Sequence, residues 1–176
     1  MNYVYIACSI DGFIAKPDGN LDWLINIPNP QNNDFGFSKF MENIDGIIMG
    51  RNTFETVLGF SEWPYLKHVF VLSNTIKNLP ASVKGKASIV SGNIKDIIRS
   101  LNKNEIKNIY VDGGKAIQSF LKEGLIDEMI ITTIAKIIGD GIPLFGNIGI
   151  EKHYKVDKVE MLNENMVKIY YKRKEI

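Results

Sequence analysis

Only one cysteine, Cys8, occurs in the 176 residues of this chain. That excludes an intrachain disulfide framework and every metal site built from clustered thiolates. Cys8 closes the apolar run Tyr3–Cys8 and reads as a buried structural thiol rather than a nucleophile. Histidine is equally scarce. His68 and His153 are far apart and not spaced as ligands, so no metal is assigned and no His/Cys zinc signature exists. Neither sign of charge is in excess: 21 Lys and Arg against 20 Asp and Glu leave a formal net charge of +1. That balance offers nothing to nucleic acid or to an anionic membrane, and the basic end Tyr171-Lys172-Arg173-Lys174 reads as a solvated strand end. Long hydrophobic runs are missing too, with none near the roughly 20 residues of a spanning helix. The N-terminus lacks the charged-then-apolar layout of a signal peptide. A cytoplasmic protein is expected, with neither nucleic acid nor a membrane as partner. The G-x-G-x-x-G fingerprint is absent, which argues against an ordinary Rossmann site. There is no repeat, low-complexity tract or linker, so residues 1–176 are expected to form one domain.

What is present alternates in character. Val4–Cys8 is a short continuous apolar run, and Ile44–Met49, Lys67–Leu72 and Asn108–Val111 are mainly apolar stretches of the same kind, as expected of strands covered on both faces. Ala87–Val90 is a weaker strand, and Glu128–Ile134 is a long β-branched one. Between them lie helical patterns. Asp34 is placed to cap a helix carrying Phe37, Phe40, Met41 and Ile44. A second helix starts at Arg51 and runs to about Leu58, a third carries Ile94, Ile97, Ile98 and Leu101, and a fourth carries Ala116, Ile117, Phe120 and Leu121. At the end, Lys155–Met161 and Met166–Tyr171 alternate around Asn163-Glu164-Asn165 and predict a hairpin. The pattern is an α/β sheet with helices on both faces and an antiparallel edge.

In such a sheet, ligands bind beyond the carboxyl ends of the strands. Three loops share that placement: Gly50-Arg51-Asn52-Thr53, Leu72-Ser73-Asn74 and Asp112-Gly113-Gly114-Lys115. Two of them are glycine-lined helix starts beside a cation. The first backbone N–H groups of a helix lack partners and its dipole favours negative charge, so the pair suits an elongated diphosphate.

These motifs, taken in order, carry a resemblance. Ala7 with Ser9-Ile10-Asp11-Gly12-Phe13-Ile14-Ala15, Met49-Gly50-Arg51-Asn52-Thr53, Val71-Leu72-Ser73, Val111-Asp112-Gly113-Gly114, Gly124–Glu128 and Leu144-Phe145 resemble the dihydrofolate reductase superfamily. More narrowly they are similar to the reductase domain of the bifunctional riboflavin-biosynthesis deaminase-reductase and its stand-alone bacterial relatives. The resemblance spans nearly the whole chain. It implies a three-layer αβα fold with a mixed, mainly parallel eight-stranded sheet and a C-terminal antiparallel hairpin, binding NADPH.

By the same resemblance, Ala7, Ile14 and Ala15 would face the nicotinamide. Gly50, Arg51, Asn52 and Thr53 would take the diphosphate and approach the 2′-phosphate, and Leu72, Ser73 and Asn74 would hold the adenosine side. Gly113, Gly114, Lys115, Ala116 and Ile117 would hold the diphosphate from the other helix, with the two glycines joined by a cis peptide. On the substrate side, Asp34 stands sixteen positions before Gly50, the spacing of the folate-binding carboxylate, with Thr132 as its companion on the facing strand. Asp34 is therefore the candidate catalytic residue, and a helix cap is the alternative reading of it. Trp23 is a candidate wall of the pocket mouth. Lys67 stands where dihydrofolate reductases use an arginine to clamp a carboxylate. Lysine lacks that fork and could meet a ribose phosphate only as a point charge.

The implied activity is NADPH-dependent hydride transfer to a C=N or C=O of a small substrate, first the ribosylaminopyrimidine of riboflavin synthesis. Dihydrofolate reduction is the alternative, and a non-catalytic NADPH-binding protein is the reading from a different class. The family also implies a homodimer.

Overall fold

The computed structural model describes residues 1–174, so the last two residues of the expected domain lie outside it. Its strands are β1 (Asn2–Ser9), β2 (Phe13–Ala15), β3 (Gly46–Gly50), β4 (His68–Leu72), β5 (Ala87–Val90), β6 (Ile109–Asp112), β7 (Glu128–Ile134), β8 (Ile142–Pro143), β9 (Tyr154–Asn163) and β10 (Met166–Arg173). Its helices are α1 (Asp22–Ile25), α2 (Phe37–Glu42), α3 (Arg51–Leu58), α4 (Ile94–Lys103) and α5 (Gly114–Lys122).

Eight strands form one sheet in the order β5-β4-β3-β6-β1-β7-β10-β9. The pairs from β5 to β7 are parallel, and β10 runs antiparallel to both β7 and β9. This is the expected mainly parallel sheet with an antiparallel edge. β3 and β4 are apolar almost throughout because both faces are covered. On one face, Ile97, Ile98 and Leu101 of α4 and Ile117, Phe120 and Leu121 of α5 meet Val4, Ile48, Val111 and Ile131. Each of these helices presents an i, i+3, i+4 stripe, and burying one such side chain contributes about 1.5–3 kcal/mol. On the other face, Phe54 of α3 packs with Ile47, Met49, Val69 and Val71, and Phe37, Phe40 and Met41 of α2 join them. β9 lies at the edge with Val156, Val159 and Met161 exposed.

Parallel pairing aligns the carboxyl ends. Gly50 of β3 is in register with Leu72 of β4, and Met49 with Asp112 of β6. The three candidate loops therefore emerge together. The loop after β1 folds over them because β2 pairs with β8, Phe13 opposite Pro143 and Ala15 opposite Ile142.

Two boundaries differ from the sequence reading. Helix α2 begins at Phe37 with Gly36, at φ 88°, in the cap position. Asp34 lies outside it, yet its carboxylate accepts from the Gly36 and Ser38 N–H groups, both at 2.8 Å. The Trp23 segment is a single turn of helix rather than a pocket wall.

Candidate active site

Helices α3 and α5 both start at the carboxyl end of a central strand and both open on a glycine. Gly50 leads into α3 in extended conformation, and Gly113 leads into α5 at φ 86°. Neither start has a side-chain cap or an acidic residue in its first turn. Helix α4 is the contrast, since the Asn93 side chain there accepts from the Lys95 N–H at 2.9 Å. The first N–H groups of α3 and α5 are left for a ligand, and they face one cavity of about 530 Å³.

Most of the candidate cofactor residues line that cavity: Ala7, Ile14, Ala15, Gly50, Arg51, Asn52, Thr53, Leu72, Gly113, Gly114, Lys115 and Ala116. Gly113 must be small, because a Cβ there would overlap the Thr53 hydroxyl. Gly114 is close-packed as well: a Cβ added there would stand 3.0 Å from Ile14 Cδ1 and 3.3 Å from the Pro143 carbonyl oxygen. The expected cis peptide between these glycines is not there: no cis bond occurs among the described residues. The positive φ of Gly113 brings the chain across the strand end with a trans bond.

Three candidates stand apart from the cavity lining. Ile117 is fully buried in the core beneath α5. The Ser73 hydroxyl is used within its own turn, accepting from Thr75 and Ile76 N–H at 3.2 and 3.1 Å. Asn74 is exposed beyond it. Arg51 lines the cavity but is loosely held, its Nε 3.7 Å from Glu55 and its Nη1 3.4 Å from the Thr75 hydroxyl.

A second pocket of about 200 Å³ adjoins the first and shares Tyr5, Ile6, Ala7 and Leu24 with it. Here Asp34 and Thr132 come together, with Phe35, Ile134 and Met166. Thr132 is the register partner of Ala7. Hydrogen bonds from the Ser38 side chain and then from the Ser38 and Gly36 backbone hold the Asp34 carboxyl below its usual value. It is an anion at neutral pH, an acceptor rather than a proton donor.

Two substrate candidates are corrected. Trp23 is 3% exposed, packed with Ile134 and Met166 and lining neither pocket, so it is a core residue. Lys67 precedes the first residue of β4, at the amino end of the sheet, and lines neither pocket. Its electrostatic partner is Asp45, whose carboxyl is held low by the Asn108 N–H first and by Lys67 to a lesser degree.

Other lining residues carry no strong sequence signal. Tyr65 donates to Asp112 Oδ2 at 2.8 Å, and both line the cavity at the two helix starts. Burial pushes the Asp112 carboxyl up, against the pull of the Tyr65 and Tyr110 hydroxyls. Asp112 at a strand's carboxyl end is a signal that position alone could raise. Tyr65 and Phe60 sit in an irregular segment without periodicity.

Known relatives cover nearly the whole chain. The family model of the RibD C-terminal domain matches residues 3–168. The uncharacterized protein YwjB of Bacillus subtilis is 32% identical over 174 residues, covering 97% of this chain and 96% of that protein. A crystal structure from Shewanella sp. PV-4, of a protein carrying a provisional riboflavin-biosynthesis name, superposes with a TM-score of 0.96 at 47% identity over 99% of both chains. The Thermotoga maritima diaminohydroxyphosphoribosylaminopyrimidine deaminase/5-amino-6-(5-phosphoribosylamino)uracil reductase has a TM-score of 0.76 at 15% identity, matching 99% of this chain and 56% of its own. That last likeness speaks for the fold alone. With the family model covering nearly the full length, the chain belongs to the RibD C-terminal domain family.

Proposed function

We propose that this protein is an NADPH-dependent reductase of a small heterocyclic substrate, with the ribosylaminopyrimidine reduced in riboflavin synthesis as first candidate. The observation that carries the reading is the pair of uncapped helix starts, α3 and α5, opening on one cavity. The donor set fits a dinucleotide diphosphate: backbone N–H groups, the Thr53 hydroxyl and the Lys115 cation, with glycine where the chain must come close, and Arg51 is left for the 2′-phosphate. Bound NADPH supplies the hydride. The chain's part is to orient and to keep water out, with Ala7, Ile14 and Ala15 closing the apolar side. Asp34, held as an anion, orients substrate N–H groups and stabilises positive charge on a protonated C=N, and the proton comes from solvent.

Dihydrofolate reduction is the second reading, favoured by one observation: Asp34 and Thr132 share the 200 Å³ pocket while Lys67 is remote from it. Loss of NADPH absorbance with 5-amino-6-(5-phosphoribosylamino)uracil, and in parallel with dihydrofolate, decides between them. NADPH binding without oxidation of either mixture would leave the non-catalytic binding protein as the reading. No NADPH binding would end the proposal. We further propose a homodimer and a cytoplasmic location. The exposed Val156, Val159 and Met161 on edge strand β9 suit a self-association surface. Sedimentation at monomer mass would remove the dimer.

A further inference from the structure

A buried lysine on β10, the strand next to the sheet's edge, needs an explanation. Lys168 of β10 is 2% exposed, and burying an ammonium is costly unless it is bonded. Its register partner is Thr132, which in turn is opposite Ala7, so it stands one strand beyond the small pocket. It does not line that pocket. Its Nζ donates to the Tyr5 hydroxyl at 3.0 Å and to the Phe35 carbonyl. The Tyr5 hydroxyl donates to the same carbonyl at 2.7 Å. Two donors from β10 and β1 thus converge on one backbone oxygen of the segment before α2.

That segment is under strain. Asn32 and Phe35 adopt φ 46° and 53°, and Gly36 follows at φ 88°. For a side chain as large as phenylalanine the left-handed region is unfavourable and persists only where the surroundings fix it. Local bonds do part of this: Asn33 Oδ1 accepts from the Phe35 N–H at 2.6 Å, and Asn29 pairs with the Asn33 backbone. None of those bonds ties the segment to the sheet. Lys168 and Tyr5 do.

We infer that Lys168 is a positioning residue, which anchors the Phe35 carbonyl and thereby sets the Asp34–Phe35 wall of the small pocket. The inference rests on the reductase reading for its kinetic consequence, though not for its structural one. Asp34 and Phe35 are the only residues of the described segment 33–38 on the pocket. The cofactor cradle, by contrast, is built on α3 and α5 and does not touch Lys168. Releasing the anchor should therefore move the substrate side and spare the cofactor side. The ammonium is bonded within the protein, to Tyr5 and Phe35, and the three residues share the wall of a third cavity, of about 1010 Å³, on that side of the segment.

The experiment uses the full chain with Lys168→Met, which keeps length and apolar bulk and removes the donor, and Lys168→Gln, which keeps a shorter N–H donor. Hydrogen exchange of residues 33–38 is measured first and needs no substrate. In Lys168→Met it should rise about tenfold, the factor expected for one lost bond of about 1.4 kcal/mol, while β7 keeps its protection. Lys168→Gln should recover part of that protection. With whichever substrate the wild-type protein turns over, KM should rise about tenfold and the NADPH Kd should stay within about twofold. Unchanged exchange in 33–38 overturns the inference, as does an NADPH Kd that rises in step with KM. If Lys168→Met does not fold, Tyr5→Phe, which removes one of the two donors, must show the same local rise in exchange or the inference falls. A wild-type protein that oxidises NADPH with neither substrate defeats the reductase reading, and the exchange result still decides whether Lys168 anchors the segment.

Discussion

Thr53 and Gly113 lock the two helix starts together: a Cβ on Gly113 would overlap the Thr53 hydroxyl and lie 3.0 Å from the Thr53 Cβ. The backbone at Gly113 is also in the positive-φ region, at 86°. Gly113→Ala therefore meets two penalties, and the loss should be at least about 2 kcal/mol by thermal or denaturant unfolding. Gly50→Ala separates stability from binding, because Gly50 has ordinary φ and open space around its Cβ position. Gly50→Ala should fold within about 1 kcal/mol of wild type and still weaken NADPH, since the added methyl enters the cavity. Unimpaired NADPH binding by Gly50→Ala would place the diphosphate elsewhere.

Asp112 and Tyr65 give the cavity a pH-dependent floor. Burial raises the Asp112 carboxyl above 3.8, so the folded chain holds this proton more tightly than the unfolded one. Between 3.8 and the raised value the folded state binds more protons, and stability falls as pH rises through that window. Asp112→Asn removes the cost of burying the charge. Its stability relative to wild type should therefore improve as pH rises from acid to neutral, measured by denaturant unfolding across the range. Tyr65→Phe should move the carboxyl further up, by removing a hydrogen bond to its charged form.

Much of this arrangement is legible in the sequence because it follows from period and punctuation. Buried strands β3, β4 and β6 are mainly apolar, and Gly50 at the end of β3 and Gly113 after β6 mark where α3 and α5 begin. The rest depends on contacts distant in the chain. β2 is only three residues long and pairs with a two-residue strand far along the chain, so no local pattern announces it. The spacing of Lys67 from Ser73 suggests a substrate contact, but spacing does not say which end of a strand a residue occupies. The apolar neighbours of Trp23 fit a core as well as a pocket mouth. Lys168 alternates with apolar residues in β10 as any exposed strand lysine would. Only Tyr5 and Phe35, both far away in sequence, reveal why it is buried.

Asp34 combines two tasks that substitutions can separate. As a cap it accepts two N–H groups, and Asp34→Ala should cost about 1 kcal/mol or less in this exposed position. Its carboxyl is held low in the folded state, so this contribution is present above 3.8 and is lost as pH falls through the folded value. Asp34→Asn keeps a capping oxygen and removes the charge. Its stability at neutral pH should lie within about 0.5 kcal/mol of wild type, while turnover falls by more than about tenfold, as expected when one charge-assisted bond to substrate is lost. NADPH affinity should not change. Full turnover by Asp34→Asn would reduce Asp34 to a cap.

Arg51 bears on the choice of cofactor. Its guanidinium is about half exposed and its two contacts are long, 3.7 Å to Glu55 and 3.4 Å to Thr75, so little opposes its turning toward a bound phosphate. Glu55 one turn along the helix pulls it only weakly, since an exposed pair of this kind contributes a few tenths of a kcal/mol. A charge-assisted bond to the 2′-phosphate contributes roughly 1.5–3 kcal/mol, so Arg51→Ala should weaken NADPH about 10- to 100-fold. NADH lacks that phosphate and should bind the variant as it binds the wild type. Fluorescence titration with both nucleotides reads the difference directly. Asn74 cannot replace the lost cation, being uncharged and outside the cavity lining. An equal loss for both nucleotides would move Arg51 to the diphosphate and leave selection of NADPH to another cation, with Lys115 at the second helix start the next to test.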